Sequence, residues 1–321
     1  MSPSEEVISL ITSAKTIVIG GHNYPDGDCF GAQIALRESL RLAFPDKKVY
    51  AVGSGMPSLG KILGSVDRVE DDVFDDALGI LVDVSCVPRL EDQRMARCAN
   101  FIKIDHHEPN PEGEGFPYLS IVDSSRISAC EILFDFLEEH HLPINSVIAS
   151  ALYTGILTDS GRFVYHGVTP KTMEIVGKLF RYGIPAKEII EICYYETPNE
   201  KAFKKWMRDN AVLDGQVCYL WARPEDYHRF DLTFEVASSF VNALAGKFSA
   251  NIFVYFCVRE DSWTRIEYRS NRCYPVCLVA KAFGGGGHRY ASGGEIVDGK
   301  PSFRDIIRAL NELPGDNDVR A

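Results

Sequence analysis

Eight acidic and imidazole side chains are the residues of this sequence best suited to chemistry: His22, Asp26, Asp28, Asp83, Asp105, His106, His107 and Asp159. They fall in four clusters: GHNYPDGDCFGA (21–32), ILVDVS (80–85), FIKIDHHEPN (101–110) and TGILTDSGRF (154–163). Carboxylates and imidazoles are hard to borderline donors, suited to Mn2+, with Mg2+ or Co2+ as alternatives. The set is large enough for two ions and needs no thiolate. Asp26 and Asp28 alternate in a tight turn and can point at two different ions, with His22 beside the first. Asp83 ends an apolar run, where a carboxylate can bridge two ions. In the Asp105-His106-His107 triplet one imidazole can bind metal while the other faces a substrate, with Asp105 orienting a ring. Each cluster alone has a plain structural reading: a solvated PDGD turn, an N-cap at Asp83, a turn residue at Asp159. Four of them in one chain point to a binuclear metal-dependent hydrolase.

Such residues need a scaffold that gathers them. The chain has 321 residues, 45% hydrophobic and 25% charged, an ordinary globular composition with length for two cored domains. No apolar run approaches a membrane span, and the N-terminus lacks the basic start and apolar stretch of a signal peptide. Nine irregularly spaced cysteines make no disulfide framework and fit a reducing cytoplasm. The net charge of −11 is uneven: residues 1–200 hold 17 Lys and Arg against 30 Asp and Glu, residues 201–321 hold 17 against 15. That is no broad surface for long duplex nucleic acid. It suits a small anion held between an acidic metal site and a few placed cations.

The first half alternates two patterns. KTIVIGG (15–21), KVYAVG (48–53), GILVDVS (79–85) and NFIKIDHH (100–107) are short apolar runs bounded by turn residues, as strands buried on both faces are. CFGAQIALRESLRLAF (29–44), SACEILFDFLEEH (128–140) and NSVIASALYTGILTDSG (145–161) have helical spacing, the last ending at the Asp159 cluster. The alternation predicts an α/β fold with a doubly wound, mainly parallel sheet. Ligands of such sheets bind beyond the carboxyl ends of the strands, where strand order reverses. Asp26, Asp28, Asp83 and the triplet follow their runs directly, so one sheet edge gathers them.

CYYETPNEKAFKK (193–205) is polar with a proline and reads as a linker or connecting helix. The expected division is a metal-binding catalytic domain over 1–190, a linker over 191–205 and a smaller α/β substrate-binding domain over 206–321. In the last, GQVCYLWA (215–222), ANIFVYFCVRE (250–260) and WTRIEYRS (263–270) are strand-like, FEVASSFVNALAGK (234–247) and SFRDIIRALNEL (302–313) helix-like. Its chemical feature is FGGGGHRYASGG (283–294), whose glycines let backbone N–H groups cradle an anion, with His288 as a further donor. A flexible linker is the plain alternative. Arg269, beside Ser270 in YRS, is a candidate phosphate clamp or else an exposed strand arginine. Cys273 and Cys277 lack a second pair and read as structural. Trp206, Trp221 and Trp263 can stack on bases, but core packing is the better account of at least two.

Taken in order, HNYPDGDCFGA, VDVS, IDHH, LTDSGRF and FGGGGHRYASGG resemble the motifs of the DHH phosphoesterases, in the subclass whose C-terminal DHH-associated domain carries a GGGH motif. The resemblance runs nearly the whole length. The compact two-domain length is similar to the nanoRNase and pAp phosphatase type. It is too short for the RecJ exonucleases, and it lacks the membrane and sensory regions of the large cyclic di-AMP phosphodiesterases. The pyrophosphatases of this kind carry a different second domain without the GGGH loop.

The resemblance implies an active-site cleft between the two domains and two divalent ions, Mn2+ first. It puts His22, Asp26 and Asp83 on one ion, and Asp28, Asp83, His106 and Asp159 on the other, with Asp83 shared. His107 lies beside the attacking water or scissile phosphate as proton donor, and Asp105 supports it. Arg269, Ser270, Gly286, Gly287 and His288 hold the far phosphate or terminal nucleotide. The implied reaction is hydrolysis of short oligoribonucleotides, with pAp as a further substrate. Hydrolysis of cyclic di-AMP or the linear dinucleotide pApA is the alternative, and a non-catalytic nucleotide sensor a further one. No membrane is implied, and a homodimer is left open. One departure stands out: DSSRISACEIL (123–133) replaces something closer to SSTAEIL, so Arg126 either reaches the cleft or pairs on the surface.

Overall fold

A computed structural model of the chain describes residues 2–84, 89–107, 119–165, 167–271 and 273–315. It divides into two compact units, Met1–Tyr195 and Glu196–Ala321.

The first unit has five strands: β1 (Thr16–Gly20), β2 (Lys48–Ala51), β3 (Leu78–Val82), β4 (Asn100–Asp105) and β5 (Leu119–Val122). Its helices are α1 (Pro3–Ser13), α2 (Gly27–Ala43), α3 (Gly60–Leu63), α4 (Ala129–Glu139), α5 (Ser146–Asp159), α6 (Pro170–Phe180) and α7 (Ala186–Tyr194). The strands are all parallel, in the order β2-β1-β3-β4-β5. Alternate side chains enter different cores. Ile17, Ile19, Ile80, Val82, Ile102 and Ile104 pack with residues of α2, α4 and α5. Val18, Leu81 and Phe101 meet Phe74 and Met95, carried by the 3-10 turns Asp71–Phe74 and Gln93–Arg97. With both faces covered, continuous apolar strands are what the sheet requires. Strand order reverses between β1 and β3, which places a binding crevice at their carboxyl ends.

Helices α2 and α5 approach closely because glycine permits it. A Cβ on Gly27 would stand 2.5 Å from Thr158 Cγ2, and one on Gly31 would stand 2.4 Å from the Ala151 carbonyl oxygen. This contact lets Asp28, in the first turn of α2, and Asp159, the last residue of α5, share one site.

The second unit contains β6 (Val212–Asp214), β7 (Val217–Ala222), β8 (Ile252–Val258), β9 (Thr264–Ser270), β10 (Gly286–His288) and β11 (Ala291–Ile296). Its helices are α8 (Pro198–Asn210), α9 (Pro224–His228), α10 (Phe234–Ser238), α11 (Val276–Ala282) and α12 (Phe303–Asn311). The sheet order is β10-β11-β9-β8-β7-β6, with only β7 and β8 parallel among these described strands. Phe253 and Tyr255 of β8 pack with Phe203 and Met207 of α8, while Val254 and Phe256 pack with Val276 of α11 and Ile306 of α12.

The structure decides between several readings. Residues 191–205, expected as a linker or connecting helix, are mostly helical, since α7 ends at Tyr194 and α8 begins at Pro198. The helix expected over 234–247 stops at Ser238, and a 3-10 turn follows over Val241–Leu244. Ser238 and Ser239 donate their hydroxyls to the carbonyls of Glu235 and Val236, and such back-bonding competes with helix continuation. The tetraglycine is no linker, because Gly286–His288 is an edge strand. Among the described residues no helix is long and apolar enough to cross a membrane.

Candidate functional site

Each of the eight side chains is delivered by an identifiable element. His22 follows β1, Asp83 follows β3, and Asp105 is the last residue of β4, with His106 and His107 just beyond. Asp26 is the N-cap of α2, its Oδ1 accepting from the amides of Asp28 and Cys29 at 3.0 and 3.1 Å. One placement differs from the sequence reading: Asp28 lies inside α2 rather than in a turn, while Asp159 closes a helix, α5, as expected. Asp83 has φ +51°, a left-handed conformation that Asp tolerates better than most residues, and it turns the chain out of the sheet.

Distances show the convergence. His22 Nε2 lies 3.4 Å from Asp83 Oδ2 and 3.7 Å from Asp26 Oδ1. His106 Nε2 lies 3.3 Å from Asp159 Oδ2, 3.5 Å from Asp83 Oδ1 and 3.9 Å from Asp28 Oδ2. His107 Nδ1 lies 2.7 Å from Asp105 Oδ1 and 3.5 Å from Asp83 Oδ1. Asp83 is therefore the carboxylate all three imidazoles approach.

The ring nitrogens are sorted by backbone and carboxylate partners. His22 Nδ1 meets the Asn23 carbonyl at 2.9 Å, and His106 Nδ1 meets the Arg126 carbonyl at 3.3 Å. A proton held on Nδ1 by a carbonyl leaves Nε2 as the ligating nitrogen, and in both cases Nε2 faces the carboxylates. Asp28 is fixed differently. The amides of Ala129 and Cys130, at the start of α4, donate to its Oδ2 and Oδ1 at 2.6 and 3.0 Å.

Electrostatics show what the cluster lacks. Burial opposes charge on His22, yet Asp26 and Asp83 outweigh it and raise the imidazole; Asp159 and Asp83 do the same for His106. Burial also opposes charge on Asp83, but His106 and His22 hold it well below the usual carboxylate range. Asp28 is raised by burial and then by Asp83 and Asp159. Asp159 is pushed up to about 7 by burial and by Asp26. Asp83 Oδ1 is buried and accepts no hydrogen bond from the described residues. A buried carboxylate oxygen without a donor, ringed by nitrogen and oxygen ligands, fits a divalent cation. Among the described residues three groups could hold one: His22, Cys29 and Asp83; Asp83, His106 and His107; and Asp28, His106 and Asp159.

Sequence reasoning missed several contributors. Cys29, fully buried, was passed over although it follows Asp28 directly. Lys103 is buried in β4 with Nζ 3.2 Å from Asp105 Oδ2; a lysine in an apolar central strand, two residues before an acid, was the signal. The amides that hold Asp28 lie behind Ser128 and Glu131, an S-x-x-E pattern that marks a helix start. Arg126 is resolved as a pairing residue: its guanidinium meets Asp135, Asp123 and Glu131, while its carbonyl meets His106.

In the second unit, Arg269 Nη1 lies 3.2 Å from Glu267 Oε2 and donates to the Tyr268 carbonyl at 2.8 Å. Ser270 Oγ donates to the Tyr274 carbonyl at 2.7 Å. Gly286 and Gly287 pair with Gly293 and Ser292. At Gly287, φ is +134° and a Cβ would stand 2.8 Å from the Ala291 carbonyl, so glycine is required for β10 to reach β11. Arg269, Ala291 and His288 occupy one row across β9, β11 and β10. The His288 side chain lies outside the described part of the structure, as does the residue Arg272.

Comparison with known proteins identifies the family. A family model described as DHH family, N-terminal domain, matches residues 16–156. The chain is 33% identical over 313 residues to the bifunctional oligoribonuclease and PAP phosphatase NrnA of Bacillus subtilis, with 96% of each chain covered. It is 31% identical over 314 residues to the probable bifunctional oligoribonuclease and PAP phosphatase NrnA of Streptococcus mutans, covering 98% of this chain and 99% of the relative. Among solved structures, an exopolyphosphatase-related protein from Bacteroides fragilis shares the fold, with TM-score 0.83 at 22% identity over 97% of this chain and 96% of that one. Similarity of that extent, over both units, means that the chain belongs to the DHH phosphoesterase family.

Proposed function

We propose that this protein is a divalent-metal-dependent phosphodiesterase that degrades short oligoribonucleotides, di- to pentanucleotides, and also removes phosphate from pAp. The observation that carries this reading is the convergence of three imidazoles on the Asp83 carboxylate, 3.4–3.5 Å away, at the carboxyl edge of a parallel sheet. The names of the two near-full-length relatives supply the substrate class. His22, Asp26 and Asp83 would hold one ion; Asp28, Asp83, His106 and Asp159 the other. When bound, two such cations, Mn2+ or else Mg2+ or Co2+, acidify a water molecule and neutralise phosphate charge. The chain's own groups do the rest. Asp105 holds the Nδ1 proton of His107, which sets the ring so that Nε2 exchanges a proton with the leaving sugar oxygen. Lys103 offsets the buried charge of Asp105.

Residues 1–190 form the catalytic part in this reading, with 191–205 connecting it to a substrate-recognition part over 206–321. There Arg269, Ser270, Gly286, Gly287 and His288 take the terminal nucleotide or far phosphate. The row of Arg269, Ala291 and His288, with a small residue between two cationic types, supports a phosphate contact. The eight described cysteines are free thiols, in keeping with a cytoplasmic setting.

The test is a Mn2+-dependent panel of di- to pentaribonucleotides, pAp, pApA, cyclic di-AMP and pyrophosphate. Turnover of the short oligonucleotides and pAp is expected, with Asp83→Asn lowering kcat/KM by about 10^3-fold or more as several kcal/mol of charge stabilisation are lost. Preference for cyclic di-AMP or pApA would redirect the reading. Turnover of none would leave a nucleotide-binding protein without catalysis.

A further inference from the structure

Tyr24 sits inside the first ligand cluster, between His22 and Asp26, and has two unusual properties. Its side chain is 77% exposed, more than any other large hydrophobic residue among those described. Its φ is +57°, a left-handed conformation that a bulky residue rarely adopts. The loop is pinned on both sides of it. Asn23 N donates to the Arg89 carbonyl at 2.8 Å, and His22 forms an isolated bridge with Leu90. Beyond Pro25, Asp26 is tied to the start of α2. The backbone is thus held in a conformation better suited to Asn or Gly, and the residue placed there turns an aromatic ring to solvent. Its hydroxyl has no hydrogen-bond partner among the described residues. Among the described residues, neither hydrophobic core of the first unit includes this ring.

We propose that Tyr24 is a nucleobase-stacking subsite, receiving the base whose own phosphate lies at the Asp83 cluster. The inference rests on the nucleotide-phosphoesterase reading above and adds to it where a base is bound. Two peptide steps separate Tyr24 from either His22 or Asp26, so its Cα lies within about 7.6 Å of theirs. A base attached through one sugar to a phosphate at those residues is within reach of the ring. Strained backbone that surrounding structure holds in place is often found at ligand contacts, and exposed aromatic rings are the usual platforms for unpaired bases. Stacking on a π face tolerates every base, so this subsite favours nucleotides over bare phosphoesters without reading sequence.

The experiment uses the full chain and three variants, Tyr24→Phe, Tyr24→Trp and Tyr24→Asn. Asn accepts left-handed φ, so it removes the ring while keeping the loop. Two readouts are taken: quenching of 2-aminopurine fluorescence on mixing with a dinucleotide carrying that base, and KM for pAp relative to ribose 3',5'-bisphosphate. The unmodified chain, Tyr24→Phe and Tyr24→Trp are expected to quench. Tyr24→Asn should lose quenching, and the KM advantage of the base-bearing substrate should collapse toward unity, a loss of about 5- to 150-fold. Unaltered quenching and KM ratio in Tyr24→Asn would overturn the subsite. So would loss of bound metal in that variant, or a changed oligomeric state by light scattering, since either gives the residue a different role. Absence of nucleotide turnover by the unmodified chain would instead strike the phosphoesterase reading, and quenching would still decide whether Tyr24 meets a base.

Discussion

Asp159 sets the competition between protons and metal ions in the cluster. Burial and the Asp26 carboxylate push its acid up to about 7, and His22 and His106 are raised as well because neighbouring carboxylates outweigh their burial. In the metal-free protein these protons offset the converging acids, and a cation must displace them. Mn2+ affinity measured by calorimetry should therefore weaken by about tenfold or more per pH unit below 7, with proton release on binding. The stability effect has a definite sign. A carboxyl with a raised folded pKa favours the folded state at low pH, and this contribution is lost as pH rises from about 4 through about 7. The raised imidazoles act in the same direction. Metal-free protein should melt lower at pH 8 than at pH 6, with Mn2+ restoring the difference; a flat affinity profile across this range would show that protons and metal do not compete here. The ligand-type residues were legible because four Asp and His clusters occur in one chain, where each alone would read as a turn or a cap. Cys29, the Asn23 and Arg126 carbonyls and the Ala129 and Cys130 amides were not, because a backbone atom carries no mark in a sequence and a lone cysteine looks like core.

At the scale of elements, α4 is as much a part of the site as the strands. Its first two amides hold both oxygens of Asp28, and Arg126, two residues before the N-cap Ser128, lends a carbonyl to His106. Ser128 caps this helix, its Oγ accepting from the Glu131 amide at 3.1 Å. Ser128→Ala should cost about 1 kcal/mol of stability, or about 2–4 °C in Tm for a unit of this size. It should also weaken Mn2+ binding by about 10-fold or more, as outer partners of a ligand do. A lowered Tm with unaltered Mn2+ affinity would mean that α4 stabilises the fold without aiming Asp28. Strand positions could be read from apolar runs because both faces of the first sheet are covered. Helix limits were harder where side chains bond back to the backbone, as at Ser238 and Ser239. The tetraglycine left two readings open because flexibility and close approach share one composition; the pairing of Gly287 with Ser292 decides between them.

For the whole molecule, the acidic excess confined to residues 1–200 coincides with the eight candidate site residues, which run from His22 to Asp159. The charge step is visible in the sequence, and the boundary between Tyr195 and Glu196 falls inside the polar segment 191–205, where helices flank it closely on both sides. Each unit has its own cores: residues from Val7 to Ile189 in the first, and from Phe203 to Leu313 in the second. The backbone groups that orient the ligands, at Asn23, Arg126, Ala129 and Cys130, also belong to the first unit. A chain of this length is large enough to fold on its own core. Residues 1–195 expressed alone should therefore melt cooperatively and bind Mn2+ within about threefold of the full chain, since sites without shared partners are nearly independent. Affinity for pAp should fall much further, because Arg269, Ser270 and the glycine strand are gone. Calorimetry with Mn2+ and with pAp on the same fragment separates the two properties. A fragment that folds but fails to bind Mn2+ would show that metal binding draws on the second unit, while one that keeps full pAp affinity would place nucleotide recognition entirely with the metal cluster and its loop.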